Sequence, residues 1–180
     1  MATLQYQCSM SLDGFIAGPG GDMSWLAGHV GPNPAVEEIM NRTGALLVGH
    51  TTFGGDDPYK GTEHQGEPYG GGWDGPQFVL THNVPERSVP GVTFVGDLGT
   101  AVKAAREAAG DRLVGVLGAS VARQCLEAGE LEEIFVSVVP LLLGDGVRLF
   151  DHPGGREVRL ETVSVDQAPS ATNILFRVAR

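Results

Sequence analysis

The chain has 180 residues, 42% of them apolar and 19% charged, a balance that folds and that suits one domain with a sizeable core. Its formal net charge of −10 sets up a field that repels phosphate backbones and anionic lipid, which argues against nucleic-acid and membrane-surface roles. No apolar run approaches the roughly 18 residues of a membrane span, no leader-like segment opens the chain, and Cys8 and Cys125 lack CxxC spacing, so the expectation is a cytoplasmic protein with two buried free thiols.

In chain order, Leu4, Tyr6 and Cys8 alternate with Gln5, Gln7 and Ser9, the period of two of a first strand. Asp13-Gly14 supplies a turn, and the glycines from Gly18 to Gly21 continue a loop. Asn33 before Pro34 predicts a helix start, with Val36, Ile39 and Met40 on one face and an end before Gly44. Ala45 to Val48 reads as a short buried strand. The stretch from Gly54 to Gly75, rich in Gly, Asp, Glu, His and Tyr, is a long loop of the kind that serves function. Strands are predicted at Gln77 to Leu80 and Val92 to Val95, then a helix with Asp97 as N-cap and Gly110 past its end. Leu113 to Leu117 makes the next strand and Gly118 to Ala128 the next helix, closed by Gly129. A β-branched run follows from Ile134 to Leu143, broken by Pro140, and Gly144-Asp145-Gly146 is a tight turn. Val158 to Val165 and Thr172 to Val178 finish as an antiparallel pair. Strand–helix–strand units in the middle and consecutive strands at the end predict a single α/β domain over residues 1–180.

Three loops follow buried strands, and in open α/β sheets such loops converge at the ligand site. Gly118-Ala119-Ser120-Val121 opens a helix whose free amides and dipole suit a phosphate; helix–sheet packing explains small residues there equally well. Gly49-His50-Thr51-Thr52-Phe53 offers hydroxyls and amides for a second phosphate, unless Thr51 or Thr52 merely caps a helix. Thr81-His82 is a polar pair at a third strand end. Glu37 and Glu38 are the carboxylates of the first long helix. Glu38 stands four before Arg42, a surface-pair spacing, whereas Glu37 lies at the Met40 edge and is better placed for a pocket.

Other patterns are discounted. Gly70-Gly71-Gly72-Trp73-Asp74-Gly75 spells GxGxxG, yet a loop precedes it and Pro76 with a strand follows, the reverse of the dinucleotide fingerprint. The histidines at 29, 50, 64, 82 and 152 show no metal-like pairing, so no metal site is predicted. Ser120 lies in no GxSxG elbow.

Taken together, three segments carry a family resemblance: Ser11-Leu12-Asp13-Gly14-Phe15-Ile16-Ala17, Leu46-Leu47-Val48-Gly49-His50-Thr51-Thr52-Phe53, and the stretch from Val116-Leu117-Gly118-Ala119 through Pro140-Leu141-Leu142-Leu143-Gly144-Asp145-Gly146 to Leu149-Phe150. Their order and spacing resemble the dihydrofolate-reductase-like proteins, particularly the reductase half of the bifunctional riboflavin-biosynthesis deaminase/reductase. The likeness spans the chain apart from the Gly54–Gly75 loop. It implies a three-layer αβα fold around a mixed, mostly parallel sheet of about eight strands, and often a homodimer. It also implies an NADPH-dependent reductase that transfers a hydride to a small heterocyclic or sugar-derived substrate, as a phosphoribosylaminouracil reductase does. Reduction of dihydrofolate or another pterin, and a non-catalytic nucleotide-binding protein of the same fold, are the alternatives. By motif match, Ser9, Ile16 and Ala17 would flank the nicotinamide. Gly49, His50, Thr51 and Thr52 would hold phosphates, Thr81 and His82 would lie near the adenosine, and Leu117, Gly118, Ala119, Ser120 and Val121 would cradle the pyrophosphate. Trp25 and Phe53 would border the substrate, with Asp13 and Glu37 as the carboxylates nearest the chemistry. The family usually carries Arg or Lys where this chain has His50, which leaves NADPH or NADH open, and often Gly-Gly where it has Leu117-Gly118. The deaminase half, with its HxE and PCxxC zinc signature, has no counterpart here.

Overall fold

The computed structural model describes all residues except Arg87, His152, Arg156 and Arg180; His152, one of the five histidines weighed as metal ligands, thus lies outside the described residues. Strand β1 (Thr3–Ser11) is followed by β2 (Phe15–Ala17), the short helix α1 (Ser24–Ala27) and helix α2 (Pro34–Arg42). Then come β3 (Thr43–Gly49), the single turn α3 (His50–Phe53), β4 (Gln77–Leu80) and β5 (Val92–Val95). Helix α4 (Leu98–Ala109), β6 (Leu113–Leu117), α5 (Ala119–Glu127), β7 (Glu133–Val139), β8 (Val147–Arg148), β9 (Leu160–Ala168) and β10 (Ala171–Val178) complete the chain.

The central sheet has eight strands in the order β5-β4-β3-β6-β1-β7-β10-β9. The six from β5 to β7 run parallel, and β10 and β9 close the edge antiparallel. The predicted mixed, mostly parallel α/β sheet is what forms. Strand β1 sits at its centre between β6 and β7 and is longer than its alternating stretch suggested. The last hairpin begins two residues later than read from the sequence, at Leu160 instead of Val158, because the β9–β10 ladder starts with Leu160 opposite Val178. Pro140 ends β7 at Val139, where the missing amide stops the ladder.

One face carries the main apolar core. Leu4, Tyr6, Ala45, Leu47, Val114, Val116 and Ile134 meet Ala101, Val102 and Ala105 of α4 and Val121, Ala122 and Cys125 of α5. Burial of each large side chain there contributes about 1.5–3 kcal/mol. The opposite face is covered by two different things. Helix α2 lays Val36 and Ile39 on Leu113, Phe135 and Leu175. Beyond it, the loop from Gly54 to Gly75 replaces a helix and packs Tyr69 and Trp73 over Leu46, Val48 and Val79. Trp73 fixes that loop by donating its indole N–H to the Thr43 carbonyl at 3.0 Å. Both helix starts read from the sequence hold: Asn33 Oδ1 accepts from the Val36 amide at 3.4 Å, and Asp97 Oδ1 from the Thr100 amide at 2.8 Å. No helix among the described residues is long and apolar enough to cross a membrane.

Candidate functional site

The parallel strands bring their carboxyl ends together. In register, Val48 pairs with Leu117, Gly49 with Leu80, and β6 lies beside β1. Gly49, the last residue of β3, and Gly118, the first beyond β6, are therefore neighbours at the centre of one sheet edge and not on opposite flanks. Leu117 stays in the strand and Gly118 alone makes the turn, at φ +104 and ψ 136, a conformation essentially closed to residues with a Cβ. A Cβ at Gly118 would fall on the hydroxyl of Thr52, and the first turn of α5 has no side-chain cap. The amides of Ala119, Ser120 and Val121 thus remain available beside α3.

The other expected residues are placed as follows. Gly49 precedes α3, on which His50, Thr51 and Thr52 are exposed. Thr81 is buried and spends its hydroxyl locally, accepting from the Asn83 amide and facing the Asn83 carbonyl, each at 3.2 Å, while His82 is exposed. Ser9 is partly exposed near the end of β1, and Ile16 and Ala17 lie on β2, which pairs with β8. Gly146 touches this hairpin so closely that a Cβ would strike the backbone of Ala17 and Gly18.

The remaining four expected residues are placed as follows. Asp13 is a clamp. Its carboxylate accepts from Ser11 Oγ at 2.6 Å and from the Leu143 and Gly144 amides at 3.1 and 2.7 Å, joining the β1–β2 turn to the segment after β7. The Ser11 hydroxyl first, then these amides, hold its pKa down to about 2. A group so engaged cannot donate a proton, which corrects the expectation of Asp13 as a carboxylate of the chemistry. Phe53 lies on the single turn α3. It packs edge-on against Phe94 of β5, centroids 5.7 Å apart, at the far side of the sheet from β1 and β7. Glu37 is exposed on α2, one turn before Met40; since Met40 lies against Gly72, that helix edge faces the loop. The indole N–H of Trp25 is shielded from solvent and has no hydrogen-bond partner among the described residues. Glu38 pairs with Arg42 at 3.6 Å on the surface, as its spacing indicated.

Sequence reading missed the polar interior of the α2 face. Gln5, Gln7, Thr43, Ser137 and Asn173 are all buried there. Gln7 donates to Gln5 Oε1 at 3.0 Å and to Thr43 Oγ1 at 3.3 Å, and accepts from the Tyr69 hydroxyl. Asn173 and Asn33 exchange two amide hydrogen bonds, at 2.9 and 3.0 Å, and Ser137 donates to Asn173 Oδ1 at 2.6 Å. The available signal was the row of polar residues on β1, whose long-range partners lie 36 to 128 positions away in sequence.

Residues 2–173 match the RibD C-terminal domain family. The chain belongs to that family. Comparison with curated proteins finds no significant match. Among solved structures, it resembles a protein from Shewanella sp. PV-4 provisionally assigned to riboflavin biosynthesis, with 24% identity, full coverage of both chains and a TM-score of 0.74. It also resembles RibD of Acinetobacter baumannii (15% identity, TM-score 0.70, 100% of this chain and 59% of that one). A third is the riboflavin biosynthesis reductase Rib7 of Saccharomyces cerevisiae (17% identity, TM-score 0.66, 99% and 90%). At these identities the likeness establishes the fold, and this chain spans little more than half of the RibD chain.

Proposed function

We propose that the protein is an NADPH-dependent reductase of a small heterocyclic or sugar-derived molecule, of the type that acts in riboflavin biosynthesis. The observation that carries this reading is the paired turn at Gly49 and Gly118: two strand ends in direct register, one of them forced into glycine-only geometry, with uncapped amides at the start of α5. Membership of the RibD C-terminal domain family and the reductases among its structural relatives support it.

The donors present fit a dinucleotide. Amides of Ala119, Ser120 and Val121 would hold the pyrophosphate, with Thr51, Thr52 and His50 exposed beside them and Thr81-His82 one strand further on. Ser9, Ile16 and Ala17 would border the nicotinamide, which when bound supplies the hydride. The chain itself contributes position: the Asp13 clamp holds the β2 turn against Leu143 and Gly144, so the wall at Ile16 and Ala17 cannot swing away. With Asp13 engaged as an acceptor, the proton comes from water or from Glu37 at the loop-facing edge of α2.

Titration with NADPH and with NADH, followed by fluorescence and by melting temperature, tests this. Saturable binding with a thermal shift, and oxidation of the cofactor on adding an aminopyrimidine ribityl or ribosyl compound, is expected. Absence of any shift at millimolar cofactor would remove the reading. A second copy of the chain is the partner we propose. The open edge strand β9 exposes Leu160, Val163 and Val165, and such an edge calls for cover. Light scattering should give a dimer, and V163E/V165E a monomer; a wild-type monomer would refute this.

A further inference from the structure

Strand order sets the direction in which a dinucleotide would lie. From β1 the sheet runs through β6 and β3 to β4, so a cofactor with its nicotinamide at Ser9 and its pyrophosphate on the α5 amides carries its adenosine on toward β3 and β4. Two steps of about 4.8 Å between neighbouring strands span about 10 Å from the end of β6 to the end of β4, a distance that one ribose and its phosphates cover. At those ends stand two histidines. Gly49 and Leu80 are partners in register; His50 follows the first by one residue and His82 the second by two. Both are exposed, and neither imidazole takes part in a hydrogen bond or ion pair among the described residues. His64, by contrast, lies 3.2 Å from Glu67.

Permanent cations are missing from this stretch. Strands β3, β4 and β5 carry no charged side chain, and the described residues beyond them, from His50 to Asp57, Thr81 to Glu86 and Gly96 to Asp97, include no lysine or arginine. Neighbouring elements supply few charges. Lys60 is held by Asp56 at 3.1 Å, and Asp56 also accepts from the Met23 amide. Asp57 accepts from the Tyr59 amide at 2.8 Å, and Asp97, past the end of β5, from the Thr100 amide. Arg123, on α5, faces Glu127 at 3.9 Å and the Asp151 carbonyl at 3.5 Å. Glu86 is exposed on the segment after His82.

The adenosine 2′-phosphate is the one group by which NADPH differs from NADH, and a phosphate monoester carries a charge of about −1.5 to −2 at pH 7. In the field of a chain with net charge −10 such a group is repelled unless a local cation meets it. Thr51, exposed beside His50, offers a hydroxyl but no charge. Imidazole offers one only when protonated, which for histidine occurs on the acid side of neutrality. We propose that His50 and His82 read the adenosine 2′-phosphate, so that the choice of NADPH over NADH is switched by pH; this rests on the reductase reading. Binding of the dianion favours protonated imidazole, so affinity for NADPH falls as pH rises and the protons leave, by up to about tenfold per pH unit for each histidine engaged. NADH, which lacks the phosphate, binds without that dependence.

Fluorescence titrations of the full chain with NADPH and with NADH at pH 6.5 and 8.5 test this. NADPH should bind at least tenfold more tightly than NADH at the lower pH and within about threefold of it at the higher. In proton NMR, saturating NADPH should move the titration midpoints of the His50 and His82 rings upward, and NADH should leave them in place. H50R should keep the preference at both pH values, because a guanidinium holds its charge, and H50Q/H82Q should lose it at both. Melting curves establish that each variant is folded. A preference for NADPH that is the same at the two pH values, one that survives in folded H50Q/H82Q, or equal binding of the two cofactors at pH 6.5 would overturn the proposal and leave the reductase reading standing. Binding of neither cofactor at either pH would remove both.

Discussion

Replacing Gly118 with alanine separates backbone strain from ligand access. At φ +104 and ψ 136 a Cβ costs about 1–3 kcal/mol in the folded state, and here it is also driven against Thr52. For a domain of this size that lowers the melting temperature by roughly 2–4 °C per kcal/mol. The second effect is on binding. A methyl at the turn pushes a phosphate off the first amides of α5, and losing even one hydrogen bond to a charged oxygen costs about 1.5–3 kcal/mol. The loss in NADPH affinity should then be between roughly tenfold and a hundredfold or more. Gly129→Ala provides the comparison: its φ is +73, but nothing stands within 4 Å of the added Cβ, and it lies past the opposite end of α5. That variant should lose about 1–2 kcal/mol of stability and bind NADPH within about twofold of wild type. Fluorescence titration and urea melts on both proteins give the comparison directly. Should G118A bind NADPH as G129A does, the turn is not where the dinucleotide sits.

Other consequences are measurable without a substrate. Asn33→Ala removes a helix cap, at about 1 kcal/mol, and leaves buried Asn173 short of partners, at about 1–3 kcal/mol more. N33A/N173A should therefore lose less than the sum of the single variants in urea unfolding; strict additivity would show the amide pair is not coupled. Asp13→Asn should speed hydrogen exchange at Leu143 and Gly144, and unchanged rates would refute the clamp. Because the folded pKa of Asp13 is depressed, its contribution is complete above the ordinary aspartate range and fades as pH falls through about 2. D13N should abolish that part of the acid dependence. Burial raises the thiols of Cys8 and Cys125 to about 12, so neither should react with a disulfide reagent at pH 8 until the protein unfolds.

Local chemistry decided most of what the sequence made legible. Asn33 and Asp97 cap α2 and α4 through contacts three residues away, Gly110 and Gly129 take positive φ past the ends of α4 and α5, and Pro140 stops its own strand. The turns at Gly49 and Gly118 were readable as a pair because each follows a short apolar run, and parallel strands place such turns on one edge. Asp13 was misjudged for a related reason. Beside the nearby Ser11 hydroxyl, its partners are the Leu143 and Gly144 amides, 130 and 131 residues on, which no local pattern announces.

The polar face of β1 shows a deeper limit of pattern reading. Alternation of apolar and polar residues tells which side chains share a face, not which face meets water. Leu4 and Tyr6 lie in the core, but Gln5 on the other face is wholly buried as well and Gln7 nearly so. Unpaired, a buried carboxamide would cost several kcal/mol, so it survives only where every hydrogen has an acceptor. Here the acceptors come from β7 and β3, at sequence distances of 128 and 36, and a loop supplies the Tyr69 hydroxyl as donor at a distance of 62. Apolar side chains would have filled the same volume at no such requirement. A fully satisfied polar row beneath the loop that carries Tyr69 gives this face a fixed hydrogen-bonding polarity, which packing alone does not need.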